Sequence, residues 1–288
     1  MNRFVLPLPP GFRPGPALAY HGRDAQSPCE RVEGTTLWKA LVLGGVPAVL
    51  RLEIGPAEAV GEVDAGGAAA EAARTAAARM LGLVHDPAAL EARAEAEPDV
   101  ARLVGDRRGL RLPLAPSLFE AVSWAIIGQQ INLTFAATLR RELILLAGRP
   151  HPSGMIAHPL PSDVAVLDRD ALLARRFSRQ KADYLIGLSR AVADGSLDLE
   201  GLRELDPEEA AARLTALKGI GPWTAQYVLL RGCGFPDCVP AGDAGLAAAL
   251  QRFHGMDRRP TPEEQKRLME PFAPWRSLAT AHLWASLG

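Results

Sequence analysis

The chain has 288 residues, 48% apolar and 23% charged, with a net charge of −1. That profile excludes a disordered chain and leaves room for two cores, at about 100–200 residues per domain. No stretch reaches the ~18 consecutive apolar residues of a membrane helix, and the net charge by itself points to no partner.

The N-terminal run MNRFVLPLPPGFRPGP carries prolines where a signal peptide needs an apolar helix, so the expectation is a cytoplasmic protein. TTLWKALVLGG and PAVLRLEIG are short apolar runs with alternation around Val49–Ile54, separated by Gly-Gly and Pro. They predict two strands joined by a turn. The Ala-rich stretch 66–84 predicts a helix that follows a glycine pair and ends near Asp86-Pro87. A second helix is expected over 87–97. These elements predict a small α+β domain over residues 1–108.

From about residue 105 the strand signal stops, and residues 109–288 predict a helical domain. Ser117 precedes a long apolar stretch with Glu120 three residues on, the pattern of a capping box. Gly128 and Asn132 predict a turn that divides this stretch into two helices. Further helices are expected over 162–167, 170–174, 178–194, 200–204, 207–216, 222–231, 244–253 and 262–268. Most open on Ser, Asp or Pro, and several close near Gly.

Charge is unevenly spread. Residues 1–100 carry 9 basic and 13 acidic side chains, −4, so the rest of the chain is +3. Residues 101–149 hold seven Arg, and 171–190 hold five basic groups. A local cluster of this kind suffices for phosphate contact, although ordinary solvated surface has the same look. Cys29, Cys233 and Cys238 lack CxxC spacing, which argues for a reducing compartment and against a zinc site.

The most informative segment is LKGIGPWTAQYVLLRG, residues 217–232. Gly219 and Gly221 flank Ile220, and Pro222 sits where the first turn of a helix accepts proline. Outward amides of such a hairpin, backed by the positive end of the next helix, would seat a phosphate. Twenty residues after Trp223, Asp243 precedes an apolar helix as a candidate N-cap. Trp223 and Tyr227 are spaced i, i+4 and share a helix face, either in a pocket or in the core.

The order WAIIGQQIN, LKGIGPWTA, VPAGDAG, APWRSLATAHLWA resembles the helix-hairpin-helix DNA glycosylase superfamily, most closely its bacterial 3-methyladenine DNA glycosylase II type. The resemblance implies an α+β N-terminal domain followed by an all-α, two-lobed core. It also implies a bacterial, nucleoid-associated, monomeric enzyme that flips an alkylated purine from double-stranded DNA and hydrolyses its glycosidic bond.

On this resemblance Asp243 is the catalytic carboxylate. Trp223, Tyr227 and Trp275 line the base pocket, while Trp124 belongs to the core. Gln130 is the wedge that fills the gap left by the base. Gly219 and Gly221 form the DNA-binding hairpin, with a hydroxyl added by Thr224. Trp223 stands where relatives that nick the strand carry lysine, and Lys218 lies outside that position, so no lyase step is expected. No cysteine follows Cys238, so no iron–sulfur cluster is expected. No metal or cofactor is required by the side chains, although hairpin carbonyls of this kind can recruit a monovalent cation. The alternatives are a non-catalytic module for distorted DNA, a glycosylase for deaminated or etheno bases, and a helical scaffold unrelated to DNA.

Overall fold

Alternation decides the first domain. Along Val46–Ile54, every second residue from Ala48 onward is buried (Ala48, Leu50, Leu52 and Ile54), which fixes one face of the strand to a core. In the computed structural model, which describes residues 1–287, this strand is β4 of a five-stranded antiparallel sheet. The sheet is built from β1 (Asn2–Pro7), β2 (Glu30–Glu33), β3 (Thr36–Leu43), β4 and β5 (Glu58–Val63), in the order β1-β5-β4-β3-β2. Helices α1 (Gly15–His21) and α2 (Ala68–Met80) pack on it through small residues, Ala17, Ala73, Ala76 and Ala77, with Met80 closing the cluster. The strands over 36–43 and 46–54 match the expected pair. The first, second and fifth strands and α1 carry no alternation that the sequence alone resolves.

The helix expected over 87–97 is shorter and is followed by a second one. α3 spans Ala88–Arg93 and α4 spans Pro98–Val104, because Pro98 starts a new helix at its first turn. α5 (Leu118–Gly128) is buried at every residue from Leu118 to Ile127, so it is the central helix of the second core. Gln129–Asn132 separates it from α6 (Leu133–Ala147), where Asn132 accepts a bond from the Phe135 amide. A two-stranded ribbon, β6 (Arg149–Pro150) and β7 (Ile156–Ala157), interrupts the region expected to be purely helical.

There follow α7 (Pro161–Ala165), α8 (Arg169–Leu173), α9 (Arg179–Ala193), a 3₁₀ turn at Glu200–Glu204 and α10 (Pro207–Thr215). α11 (Pro222–Val228) runs on into a π-helical turn, Leu229–Cys233. The chain closes with α12 (Ala244–His254), α13 (Pro262–Met269) and α14 (Arg276–Ala285), the last of which lies beyond the expected helices. No helix among the described residues is long and apolar enough to cross a membrane.

The two parts are joined by buried charge. Lys39, fully buried on β3, sits opposite Glu30 of β2 and donates to Glu120 of α5 at 2.6 Å. Arg140 of α6 bonds both Glu30, at 2.9 and 3.0 Å, and Glu120, at 2.7 Å. Two acids and two bases thus neutralise one another between sheet and helices. The capping box expected at Ser117 is only half made. Ser117 Oγ accepts from the Glu120 amide, but the Glu120 carboxylate turns inward to Lys39 and Arg140, where two charges outweigh one backbone amide.

That arrangement also changes the reading of the arginine-rich segments. Arg140 is buried, while Arg141, Arg149 and Arg175 pair with Asp24, Asp163 and Glu142. Much of the apparent basic cluster is spent on structure.

Candidate active site

The site forms where the starts of α11 and α12 meet the end of α14. Between α10 and α11 the chain turns through Gly219-Ile220-Gly221. Gly219 has φ +89°, and a Cβ there would lie 2.3 Å from the Tyr184 ring of α9, so only glycine fits. Ile220 is buried and anchors the hairpin. Gly221 is exposed, with an ordinary φ of −87° and open space around it. Neither the Gly219 nor the Gly221 amide has a hydrogen-bond partner among the described residues.

The turn carrying Gln130 is braced against this hairpin. Gln130 is exposed and left-handed at φ +57°. Its neighbour Gln129 donates from Nε2 to the Gly219 carbonyl at 2.8 Å and to Thr224 Oγ1 at 3.0 Å. Lys181 of α9 donates to the carbonyls of Ile126, Ile127 and Gln129 at 3.1, 2.8 and 2.7 Å, covering the acceptors left over at the end of α5. Burial alone pulls its pKa down to about 8. Gln129 and Lys181 were not among the expected site residues. Thr224 was expected to present its hydroxyl to DNA, but it is buried with that hydroxyl on Gln129, so it braces the hairpin from inside.

Asp243 is the N-cap of α12. Its Oδ1 accepts from the Leu246 amide at 2.7 Å and from the Trp284 indole at 3.0 Å. Its Oδ2 accepts no hydrogen bond among the described residues, leaving one oxygen free. Gly245 lies flat against this pair: a Cβ there would stand 3.1 Å from Oδ1 and 3.3 Å from the indole.

Trp223 and Tyr227 do share a face, with ring centres 5.6 Å apart, and Tyr227 stands 6.4 Å from Trp284. Burial raises the Tyr227 pKa, keeping its hydroxyl protonated. The Trp223 Nε1 is buried without a hydrogen-bond partner among the described residues. Trp275, the third expected pocket ring, is elsewhere. It stands before α14 and meets the Arg93 guanidinium of α3 at 5.5 Å, while Trp284 takes the place beside Tyr227 and Asp243. Trp124 is buried, as expected, yet the Arg23 guanidinium covers its ring at 4.3 Å.

The model of the family described as "HhH-GPD superfamily base excision DNA repair protein" matches residues 123–274, a span from the middle of α5 almost to α14. A curated relative, "DNA-3-methyladenine glycosylase" of Bacillus subtilis, is 35% identical over 190 residues, 62% of this chain and 60% of that protein. The chain thus spans about six tenths of the length of the first curated relatives it matches. Among solved structures, the 3-methyladenine DNA glycosylase of Archaeoglobus fulgidus superposes with a TM-score of 0.86 at 23% identity, over 98% of this chain and 97% of that one. A Schizosaccharomyces pombe 3-methyladenine DNA glycosylase in complex with abasic DNA matches at 26% identity and TM-score 0.59, over 68% of this chain and 95% of that one. With more than half of its length inside the matched model, and with the hairpin and Asp243 inside that span, the chain belongs to the HhH-GPD superfamily of base excision DNA repair proteins.

Proposed function

We propose that this protein is a monofunctional DNA glycosylase that flips alkylated purines, 3-methyl or 7-methyl, out of duplex DNA and hydrolyses their glycosidic bond. The observation that carries the reading is the fixed carboxylate of Asp243. One oxygen is held by Leu246 and Trp284, and the other is free beside an aromatic cluster.

The chemistry follows from that geometry. Glycosidic cleavage passes through an oxocarbenium-like sugar, and a preorganised anion beside it lowers the barrier. The start of α12 and two donors, the Leu246 amide and the Trp284 indole, hold the carboxylate of Asp243 in one orientation. Its free oxygen would face the sugar carbon and orient the water that replaces the base. An N-alkylated purine carries positive charge and leaves as a neutral base, so no acid need protonate it. Trp223 and Tyr227 would stack on the flipped base, and the unpartnered Trp223 Nε1 would donate to an acceptor on it.

The exposed hairpin, with the unpartnered amides of Gly219 and Gly221, would hold a backbone phosphate at the start of α11. Gln130 would enter the vacated stack, offsetting part of the few kcal/mol that flipping costs. The core then works as two lobes with the DNA across the cleft between them. The protein would act as a cytoplasmic monomer at the nucleoid, without cofactor and without a lyase step.

The test is release of 3-methyladenine or 7-methylguanine from duplex DNA by wild type and Asp243→Asn, with strand breaks scored before and after alkali. Release by wild type only, with breaks only after alkali, is expected. Tight DNA binding without release by either protein would sink the reading.

A further inference from the structure

The sheet domain reaches the aromatic cluster. Tyr20 and Arg23, at and just beyond the end of α1, stand over the helical core. The Arg23 guanidinium lies 4.3 Å from the ring centre of Tyr20 and 4.3 Å from that of Trp124. Arg231, in the π-helical turn after α11, lies 4.4 Å from Tyr20 and 4.9 Å from Trp284, the ring that holds Asp243. Trp284, the ring beside the candidate carboxylate, therefore already faces one planar cation, Arg231, and Tyr20 links that cation to a second, Arg23.

The two arginines are held differently. Arg231 is tied to the Pro113 carbonyl at 2.6 Å. Arg23 is exposed and donates to the carbonyl of Tyr20, three residues back, at 3.1 Å. Burial works to raise the Tyr20 pKa, but the nearby Arg23 and Arg231 outweigh it and hold the phenol below its usual value, a mark of the positive field here.

A guanidinium and an N-alkylated purine are both planar cations suited to an aromatic face. A cationic base entering this pocket must displace Arg23 or lie beside like charge. A neutral base with a carbonyl edge would instead accept hydrogen bonds from it. We propose that Arg23 is a specificity-determining residue that occupies the cation seat between Tyr20 and Trp124, and so tilts the site from cationic toward neutral lesion bases. This rests on the glycosylase reading above. Alkylated bases still leave, because their ring charge weakens the glycosidic bond; Arg23 sets the ratio between the two classes.

The experiment compares single-turnover release of 7-methylguanine and hypoxanthine from matched duplexes by wild type, Arg23→Gln and Arg23→Lys. It is run on the acid side of neutrality, where the methylated ring keeps its full charge. Arg23→Gln is expected to raise the 7-methylguanine to hypoxanthine ratio about tenfold, while Arg23→Lys stays near wild type, since one like charge about 4 Å away is worth from about fivefold in bulk water to several hundredfold near a protein surface. An unchanged or lowered ratio in Arg23→Gln overturns the proposal. If no protein releases either base, the glycosylase reading fails instead, and quenching of tryptophan fluorescence by 7-methylguanosine decides the matter of Arg23. Tighter binding by Arg23→Gln is then expected, and equal binding overturns the assignment.

Discussion

The indole of Trp284 donates to Oδ1 of Asp243 at 3.0 Å from a helix 41 residues further along the chain. Asp243 lies at the start of α12 and Trp284 near the end of α14, so the carboxylate is oriented by tertiary packing as well as by its own helix. Trp284→Phe keeps the ring and removes the donor. A hydrogen bond to a charged group is worth about 1.5–3 kcal/mol, so base release should fall at least about tenfold with DNA affinity little changed. Trp275→Phe, beside Arg93, should leave release near wild type. Single-turnover rates on one alkylated duplex separate the two.

The hairpin glycines differ in a way that DNA binding can read. Gly219→Ala places a methyl group against the Tyr184 ring at a left-handed position, so it should lower both stability and DNA affinity. Gly221→Ala places its methyl group within 4 Å of nothing among the described residues and should melt like wild type. Its DNA affinity should nevertheless drop if this amide approaches a phosphate, with the salt dependence little changed, because an uncharged amide releases no counterion. Wild-type affinity in Gly221→Ala would remove the hairpin from the DNA contact.

Lys39 is the centre of the charge cluster between sheet and helices. Lys39→Met leaves Glu30 and Glu120 sharing Arg140 alone, and breaking a buried ion pair by one partner costs about 3–5 kcal/mol. The double variant Lys39→Met with Glu120→Gln should recover part of that loss. Urea unfolding of the two proteins, followed by tryptophan fluorescence, checks the order.

Acid should destabilise the fold before its carboxylates titrate. Burial lowers His21 to about 3, and lowers His158 and His282 to about 4 each, from an ordinary 6.5. These histidines are neutral in the fold and protonate more readily when unfolded. Between pH 6.5 and about 4 the unfolded chain therefore binds more protons, and stability falls as pH falls, by up to about 4 kcal/mol per pH unit for three groups. Glu120, held down to about 2 by Lys39 and Arg140 against the opposing effect of burial, adds its loss only at lower pH. His158→Asn should remove one proton from the slope of the unfolding midpoint against pH. An unaltered slope would mean that His158 is already charged in the fold.

What could be read from the chain alone follows from where the information is local. Asp243 is visible because an N-cap is a short-range device and its motif is distinctive. The Gly219–Gly221 hairpin and the turn before Asn132 are visible for the same reason. Trp284 is not, because its helix was unrecognised and the face it presents depends on packing against α12. Trp275 stood in for it, being the other tryptophan of the same stretch. Tyr20 and Arg23 are hidden more deeply, since nothing within residues 15–23 records that the end of α1 lies over Trp124 and Arg231. Glu120 shows the converse: its local pattern forms a capping box only if no stronger partner exists, and Lys39 arrives from 81 residues away.

Gln129 joins the backbone of the hairpin to the turn that carries Gln130, and Lys181 fixes that turn from below. If the hairpin and Gln130 both meet DNA, as proposed, the two contacts have a set separation, like the jaws of a locked caliper. A duplex whose strands resist kinking would not span the jaws, whereas one softened by a weakened base pair would yield to them. Damage could in this way be sensed as mechanical compliance while the base is still stacked, before any ring enters the pocket.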